Sequence, residues 1–81
     1  MSTQNAMRKI KLTNLNHTAA RLRQEIGTLA RTISINLDTS LTRAENLPVE
    51  VVDSQWDELK SKWADLTIAL ADIKRLEEEL R

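Results

Sequence analysis

The strongest structural signal in this chain is the stretch WDELKSKWADLTIALADIKRLEEEL, residues 56–80. Its large apolar residues recur at alternating steps of three and four, and only Glu77 interrupts them. A repeat of 3.5 residues keeps one stripe of a helix against one partner helix, so the stretch predicts a helix that packs lengthwise on another. The stripe that forms this predicted seam consists of Trp56, Leu59, Trp63, Leu66, Leu70, Ile73 and Leu80.

The first half of the chain carries a matching seam. Apolar residues at steps of three and four run without exception from Leu12 to Ile33. Beyond Ile33 the register meets Asn36 and Ser40, and the apolar stripe resumes displaced, which is typical of a four-residue stutter in a continuing helix. The pattern therefore predicts a first helix over about residues 16–45, and the capping residues available leave its start open between Thr3 and Asn16. Its residues expected to pack on the second helix are Leu22, Ile26, Leu29 and Ile33.

The only proline of the chain, Pro48, marks the break between the two halves. A residue that precedes proline is pushed out of the helical region, so we expect a connector over residues 46–53. Asp53 or Ser54 would then cap a second helix over residues 54–81. Residues 1–15 would form a basic N-terminal arm or a helical overhang, and residues 1–81 a single domain.

An alternative applies to residues 32–42, where apolar and polar residues alternate as in a strand. A lone strand needs a partner, and no segment of comparable length offers one, so continuous helix is the preferred interpretation. The predicted fold is all-α: an antiparallel helical hairpin of two long helices with a coiled-coil-like seam. Dimerisation into a four-helix bundle, or docking on a partner, would complete so small a core.

Folding the chain near residues 49 and 50 makes neighbours of residues whose numbers sum to about 99. This register places Lys74 beside Glu25 and Trp63 opposite Asn36. It also places the acidic run of residues 77–79 beside Arg21 and Arg23, so that every pairing has opposite signs. The register is a prediction that the structure can contradict.

Composition restricts the classes of function. The 81 residues include 12 basic and 12 acidic side chains, no Cys and one His, His17, which has no second ligand at metal-binding spacing. No phosphate-binding glycine loop or catalytic triad is suggested, so we expect no enzyme activity, no metal and no cofactor. The chain shows no apolar run that would span a membrane and no secretory signal, and we expect a cytoplasmic protein.

The function that fits these features is a protein–protein interaction module: an oligomeric adaptor, regulator or inhibitor that binds a partner protein, itself, or both through helix faces. A homodimer is expected, and Ala20, Gly27 and Ser34 form a small-residue groove that would allow close approach. In general shape the predicted hairpin is similar to Rop-type hairpins, a similarity of architecture alone. The exposed contact candidates are Ala64, Ile68, Ala71, Arg8, Lys9 and Lys11.

Nucleic-acid binding is the alternative function. Residues 22–37 resemble the helix-turn-helix of small bacterial regulators, which implies a turn at Gly27 and a recognition helix containing Thr32, Ser34 and Ile35. The basic N-terminal segment would contact phosphates, either of nucleic acid or of a membrane surface. The competing interpretation is a single glycine within one long helix, at a cost of about 1 kcal/mol.

Overall fold

Two long antiparallel helices make up most of the computed structural model, which describes residues 3–81. Helix α1 spans Thr3–Asn36 and helix α2 spans Val49–Glu79, with one turn of 3₁₀ helix at Ala44–Asn46 between them. The hairpin measures 64 × 16 × 15 Å. Residues 3–81 contain no strand. The all-α helical hairpin predicted from the seams is therefore confirmed.

Helix α1 ends about nine residues earlier than the sequence predicted, because local turn chemistry competes with the helix. The Asp38 carboxylate accepts hydrogen bonds from the backbone N–H of Ser40 at 2.9 Å and from its hydroxyl at 2.6 Å. These two bonds lower the pKa of Asp38 and hold the chain in a turn. The predicted stutter is therefore wrong, and so is the strand alternative, because residues 32–36 are helical and residues 37–43 form turns.

Helix α2 begins at Val49, directly after Pro48, and not at Asp53 or Ser54. The Pro48 carbonyl accepts the Val52 N–H at 2.9 Å and so opens the helical hydrogen-bond ladder. Proline suits a helix start because its missing N–H would have no partner there. The connector therefore covers residues 37–48, and the predicted connector of 46–53 is wrong.

The segment predicted as an arm or overhang is part of α1, which already begins at Thr3. Of the starts left open between Thr3 and Asn16, the helix takes the earliest, Thr3, so residues 3–15 are helical and not an arm, and residues 1 and 2 lie outside the described residues. Arg8 forms an ion pair with Glu79 at 3.3 Å, so α2 reaches back almost to the beginning of α1. Only about one turn of α1 extends beyond this pair.

The shifted connector changes the register between the helices. The cross-helix pairs are Arg8 with Glu79, Glu25 with Lys62 and Asn36 with Gln55, and their residue numbers sum to 87, 87 and 91. The predicted sum of about 99 is wrong because the midpoint of the connector lies about seven residues earlier than expected. Lys62 therefore lies beside Glu25, where Lys74 was predicted, and Gln55 lies opposite Asn36, where Trp63 was predicted.

The seam of α1 agrees with the prediction. Leu22 is buried, Ile26, Leu29 and Ile33 are half-buried, and the stripe continues to a half-buried Asn36. On α2, the predicted seam residues Leu59 and Leu66 are half-buried and Ile73 is buried. The buried or half-buried stripe of α2 repeats at steps of three and four and consists of Val52, Gln55, Leu59, Lys62, Leu66, Ala69, Ile73, Leu76 and Leu80.

Three residues predicted to lie in the seam of α2 do not lie there: Trp56, Trp63 and Leu70 are exposed. Leu59 and Leu66 have a row of residues on each side along the helix. The row that faces α1 is the one that does not contain Trp56, Trp63 and Leu70. That row supplies Gln55 and Lys62, which bond to the polar side chains that α1 presents at the seam. Half-buried amides and carboxylates need such partners, and neither an indole ring nor a leucine would supply an equivalent one.

The buried core is small and lies toward the open end of the hairpin. In the described part of the chain it consists of Ala19, Leu22, Ala69, Ile73 and Leu76.

Candidate docking face

The hairpin has two unlike broad faces. The first, here called the charged face, carries both ion pairs that join the helices, Arg8–Glu79 and Glu25–Lys62. Shorter-range pairs within each helix extend it. These pairs are Arg21–Glu25 at 3.0 Å, Lys62–Glu58 at 3.9 Å, Arg75–Asp72 at 3.6 Å and Arg75–Glu79 at 3.9 Å.

Glu25 is the centre of the charged face. Lys62 Nζ and Arg21 Nη1 each donate a hydrogen bond to the same oxygen, Oε1, at 3.0 Å. The hydrogen bond from Lys62, supported by that from Arg21, lowers the pKa of the Glu25 carboxyl below its ordinary value. A carboxylate held ionised by two cations stabilises the helix pairing, and it is poorly suited to proton transfer near neutral pH.

The opposite face carries a row of large apolar residues on α2, here called the tryptophan row. Val49, Trp56, Trp63 and Leu70 are spaced by seven residues, which places them on one line along the helix. Their exposed fractions are 64%, 49%, 58% and 37%. At 1.5 Å per residue the row is about 31 Å long. An exposed apolar line of this length is uncommon on a protein that acts alone.

A row of small residues on α1 runs along the same face. Ala20, Gly27 and Ser34, here called the small-residue row, are also spaced by seven. In an antiparallel pair, the rows on the same side of the seam lie on the same broad face, so this row accompanies the tryptophan row. A Cβ atom built on Gly27 would meet no heavy atom within 4 Å, so the surface beside it is open. We call the two rows together the docking face.

The two rows are staggered. Residues at the same height along the hairpin have numbers that sum to about 87, as the pairs Arg8–Glu79 and Glu25–Lys62 show. Gly27 therefore lies at the height of residue 60, midway between Trp56 and Trp63. By the same rule Ala20 lies between the heights of Trp63 and Leu70, whereas Ser34 lies near the Asn36–Gln55 pair, whose numbers sum to 91, and comes about level with Trp56. Gly27 and Ala20 are therefore each level with a gap between two large residues.

The predicted contact residues are not on the docking face. Ala64, Ile68 and Ala71 are exposed on the outer side of α2. Arg8 is half-buried on the charged face and paired with Glu79, whereas Lys9 and Lys11 are exposed in the first turns of α1. A partner-binding role for these six residues stays a prediction.

The helix-turn-helix prediction is wrong. Helix α1 runs without a break through Gly27, so the required turn is absent. Thr32, expected on the recognition helix, is half-buried beside the seam.

The tryptophan row was not predicted as a surface feature, because three of its residues, Trp56, Trp63 and Leu70, were predicted to lie in the seam. The signal that would have revealed it is the seven-residue spacing that begins at Val49, before the predicted start of the second helix.

Two further properties of residues 3–81 bear on function. No group of three or more His, Asp or Glu side chains there is placed to hold a metal ion. No helix in that range has the length and apolarity needed to cross a bilayer. Comparisons with protein-family models, with characterised proteins and with solved structures find no match to this chain. The geometry of the docking face is therefore the basis for a functional proposal.

Proposed function

We propose that this chain is a small non-enzymatic interaction module that binds protein through its docking face. The observation that carries the proposal is the tryptophan row, with Trp63 58% exposed in a line of large apolar side chains. Tryptophan is enriched at protein interfaces, where it buries a large area at a small entropic cost. Burying this row against a partner would remove that surface from water.

The charged face supports the same assignment because its ionic groups already have partners within the hairpin. Arg8 and Glu79 pair with each other, and Glu25 pairs with Lys62 and Arg21. An ionic ligand would have to displace these pairs, whereas an apolar partner surface meets no such competition on the docking face. We therefore propose the docking face as the surface through which the adaptor, regulator or inhibitor predicted from sequence binds its partner.

A photo-crosslinking amino acid at position 63 tests the proposal in the native cells. Position 68 is the matched control, because Ile68 is also exposed, at 62%, but lies on the outer side of the same helix. We expect discrete polypeptide adducts from position 63 and none from position 68. Equal labelling from both positions, or no polypeptide adduct from position 63, would contradict the proposal.

Nucleic-acid binding is a distinguishable outcome. Association through an apolar row should survive moderate salt, because its driving force is burial of apolar area. Binding to DNA or RNA would weaken steeply with salt and would fail when Lys9 and Lys11 are neutralised. That result, without a polypeptide adduct at position 63, would replace the proposed function.

A further inference from the structure

We infer that the partner of the docking face is a second copy of this chain, packed face to face about a two-fold axis parallel to the helices. In this arrangement the tryptophan row of each copy lies along α1 of the other, and the two hairpins form a four-helix bundle. The inference deepens the proposed function and rests on it.

The stagger of the docking face favours this symmetry. A two-fold axis parallel to the helices leaves every residue at its own height, so the partner's Gly27 comes level with the gap between Trp56 and Trp63. The partner's Ala20 comes level with the gap between Trp63 and Leu70 in the same way. Large side chains opposite small ones interdigitate, which is how well-packed helical layers fill space. Two-fold symmetry makes each contact twice, so the docking face of each copy supplies the large residues of one contact and the small residues of the other.

The other closed arrangement fits poorly when its axis crosses the middle of the tryptophan row. A two-fold axis perpendicular to the helices at that height would set Trp56 directly against the partner's Trp63. It would also set Lys60 against the partner's Lys60 and Gly27 near the partner's Gly27. Large residues would meet large ones, small ones would meet small ones, and like charges would face each other across the axis.

Charge complementarity supports the parallel axis independently. Arg31 and Asp57 lie at nearly the same height, since their numbers sum to 88, and each points away from the seam of its own helix. In residues 3–81 Arg31 forms no ion pair, and Asp57 pairs only with Lys60 of its own helix, at 3.3 Å. Asp57 lies one heptad before Ala64, on the outer side of α2, so the parallel axis brings Arg31 and the partner's Asp57 together at the rim of the interface, and symmetry makes this contact twice.

The size of the broad face is adequate for a dimer if the contact extends beyond the two rows. The whole broad face of 64 × 16 Å offers about 1,000 Å², and a stable interface needs about 800 Å² on each partner, whereas the length of the tryptophan row, about 31 Å, covers only about half of this face. The hairpin alone has five buried residues among those described, which is a thin core for a chain of 81 residues. Pairing two hairpins would enclose both tryptophan rows in one shared core.

A charge-exchange experiment tests the inference with the full chain. Arg31→Glu and Asp57→Arg each place like charges at both contacts of a homodimer, and we expect each to raise the dimer dissociation constant about tenfold. Mixing the two variants gives a heterodimer in which one contact is native and the other is reversed but attractive. We therefore expect the mixture to recover an affinity near that of the wild-type chain, measured by sedimentation equilibrium. Circular dichroism of each variant checks that the helices are retained.

Cysteine crosslinking distinguishes the two symmetry axes. A mixture of Gly27→Cys and Lys60→Cys chains should form a mixed disulfide between copies, because the parallel axis places these positions opposite each other. A disulfide between two Lys60→Cys chains alone would indicate the perpendicular axis and overturn the arrangement. A wild-type chain that stays monomeric at 100 µM, or a charge-exchange mixture that recovers no affinity, would also overturn the inference.

These results separate the inference from the proposed function. If the chain is monomeric but position 63 crosslinks to a different polypeptide, the second copy is excluded and the interaction module stands. If position 63 crosslinks to no polypeptide at all, both fail.

Discussion

Lys62 Nζ donates a 3.0 Å hydrogen bond to Glu25 Oε1 across the hairpin, from a seam position that is usually apolar in a coiled coil. Nearer the connector, Asn36 Nδ2 donates to Gln55 Oε1 at 3.0 Å, also from the seam. Apolar contacts tolerate sliding by a heptad, whereas a polar pair within the seam is satisfied in one register only. These two pairs therefore specify the alignment of the helices, and the buried core lies beyond them, toward the open end.

The first prediction tests this register by a double-mutant cycle. Glu25→Gln and Lys62→Met should be non-additive in the free energy of unfolding, because the two side chains interact directly. The matched cycle of Glu25→Gln with Lys74→Met should be additive, although the sequence alone favoured that pair. Urea denaturation followed by circular dichroism measures both. An interaction energy in the Lys74 cycle and none in the Lys62 cycle would contradict the observed register. It would favour the register predicted from sequence, in which Lys74 lies beside Glu25.

The second prediction concerns the pH dependence of stability. The lowered pKa of folded Glu25 means that its ion pairs stabilise the hairpin above the ordinary pKa of 4.5 and that this contribution disappears as pH falls through the folded value. The wild-type chain should therefore be more stable than the Glu25→Gln variant at pH 7, and the difference should vanish in strong acid. Glu78→Gln is the control, since Glu78 forms no ion pair within residues 3–81. A stability difference between the wild-type chain and Glu25→Gln that stays constant from pH 7 to pH 2 would contradict this prediction.

The helical hairpin could be predicted from sequence because both seams are long and nearly uninterrupted. The positions of its ends could not, because they depend on a few local bonds. Asn36 and Ser40 look like a stutter in a continuing stripe, yet the bonds from Ser40 to Asp38 close a turn there. Pro48 was assigned to the middle of the connector, although it stands at the helix start. Together these two errors displaced the register, and every cross-helix pair with it.

The docking face could not be predicted because two rows of α2 fit a seam equally well by spacing. Leu59, Leu66 and Ile73 belong to both. Apolarity favoured the row with Trp56 and Trp63, but polar groups on α1 select the row with Gln55 and Lys62. The choice depends on the correct register, so the error in the connector concealed the surface on which the proposed function depends.

The third prediction separates the observed seam of α2 from the expected one. Leu76 is 4% exposed and Leu70 is 37% exposed, so the same truncation removes different amounts of buried area. Leu76→Ala should destabilise the monomeric hairpin by about 2–4 kcal/mol, enough to unfold much of a chain of this size. Leu70→Ala should cost less than about 1 kcal/mol under the same conditions. Denaturation at a concentration where the chain is monomeric provides the comparison, and equal losses would place Leu70 in the seam.

The fourth prediction concerns Gly27, which lies within an unbroken helix and has no positive backbone φ. Glycine loses more conformational freedom than alanine when it enters a helix, and a Cβ atom at this position meets nothing within 4 Å. Gly27→Ala should therefore stabilise the monomeric chain by about 0.5–1 kcal/mol, as measured by urea denaturation at a concentration where the chain is monomeric. Ala30→Gly, at an exposed position of the same helix, should destabilise it by a similar amount and serves as the control. If Gly27→Ala were destabilising instead, the chain would need a turn at Gly27, as in a helix-turn-helix, and the continuous α1 on which the small-residue row depends would be excluded.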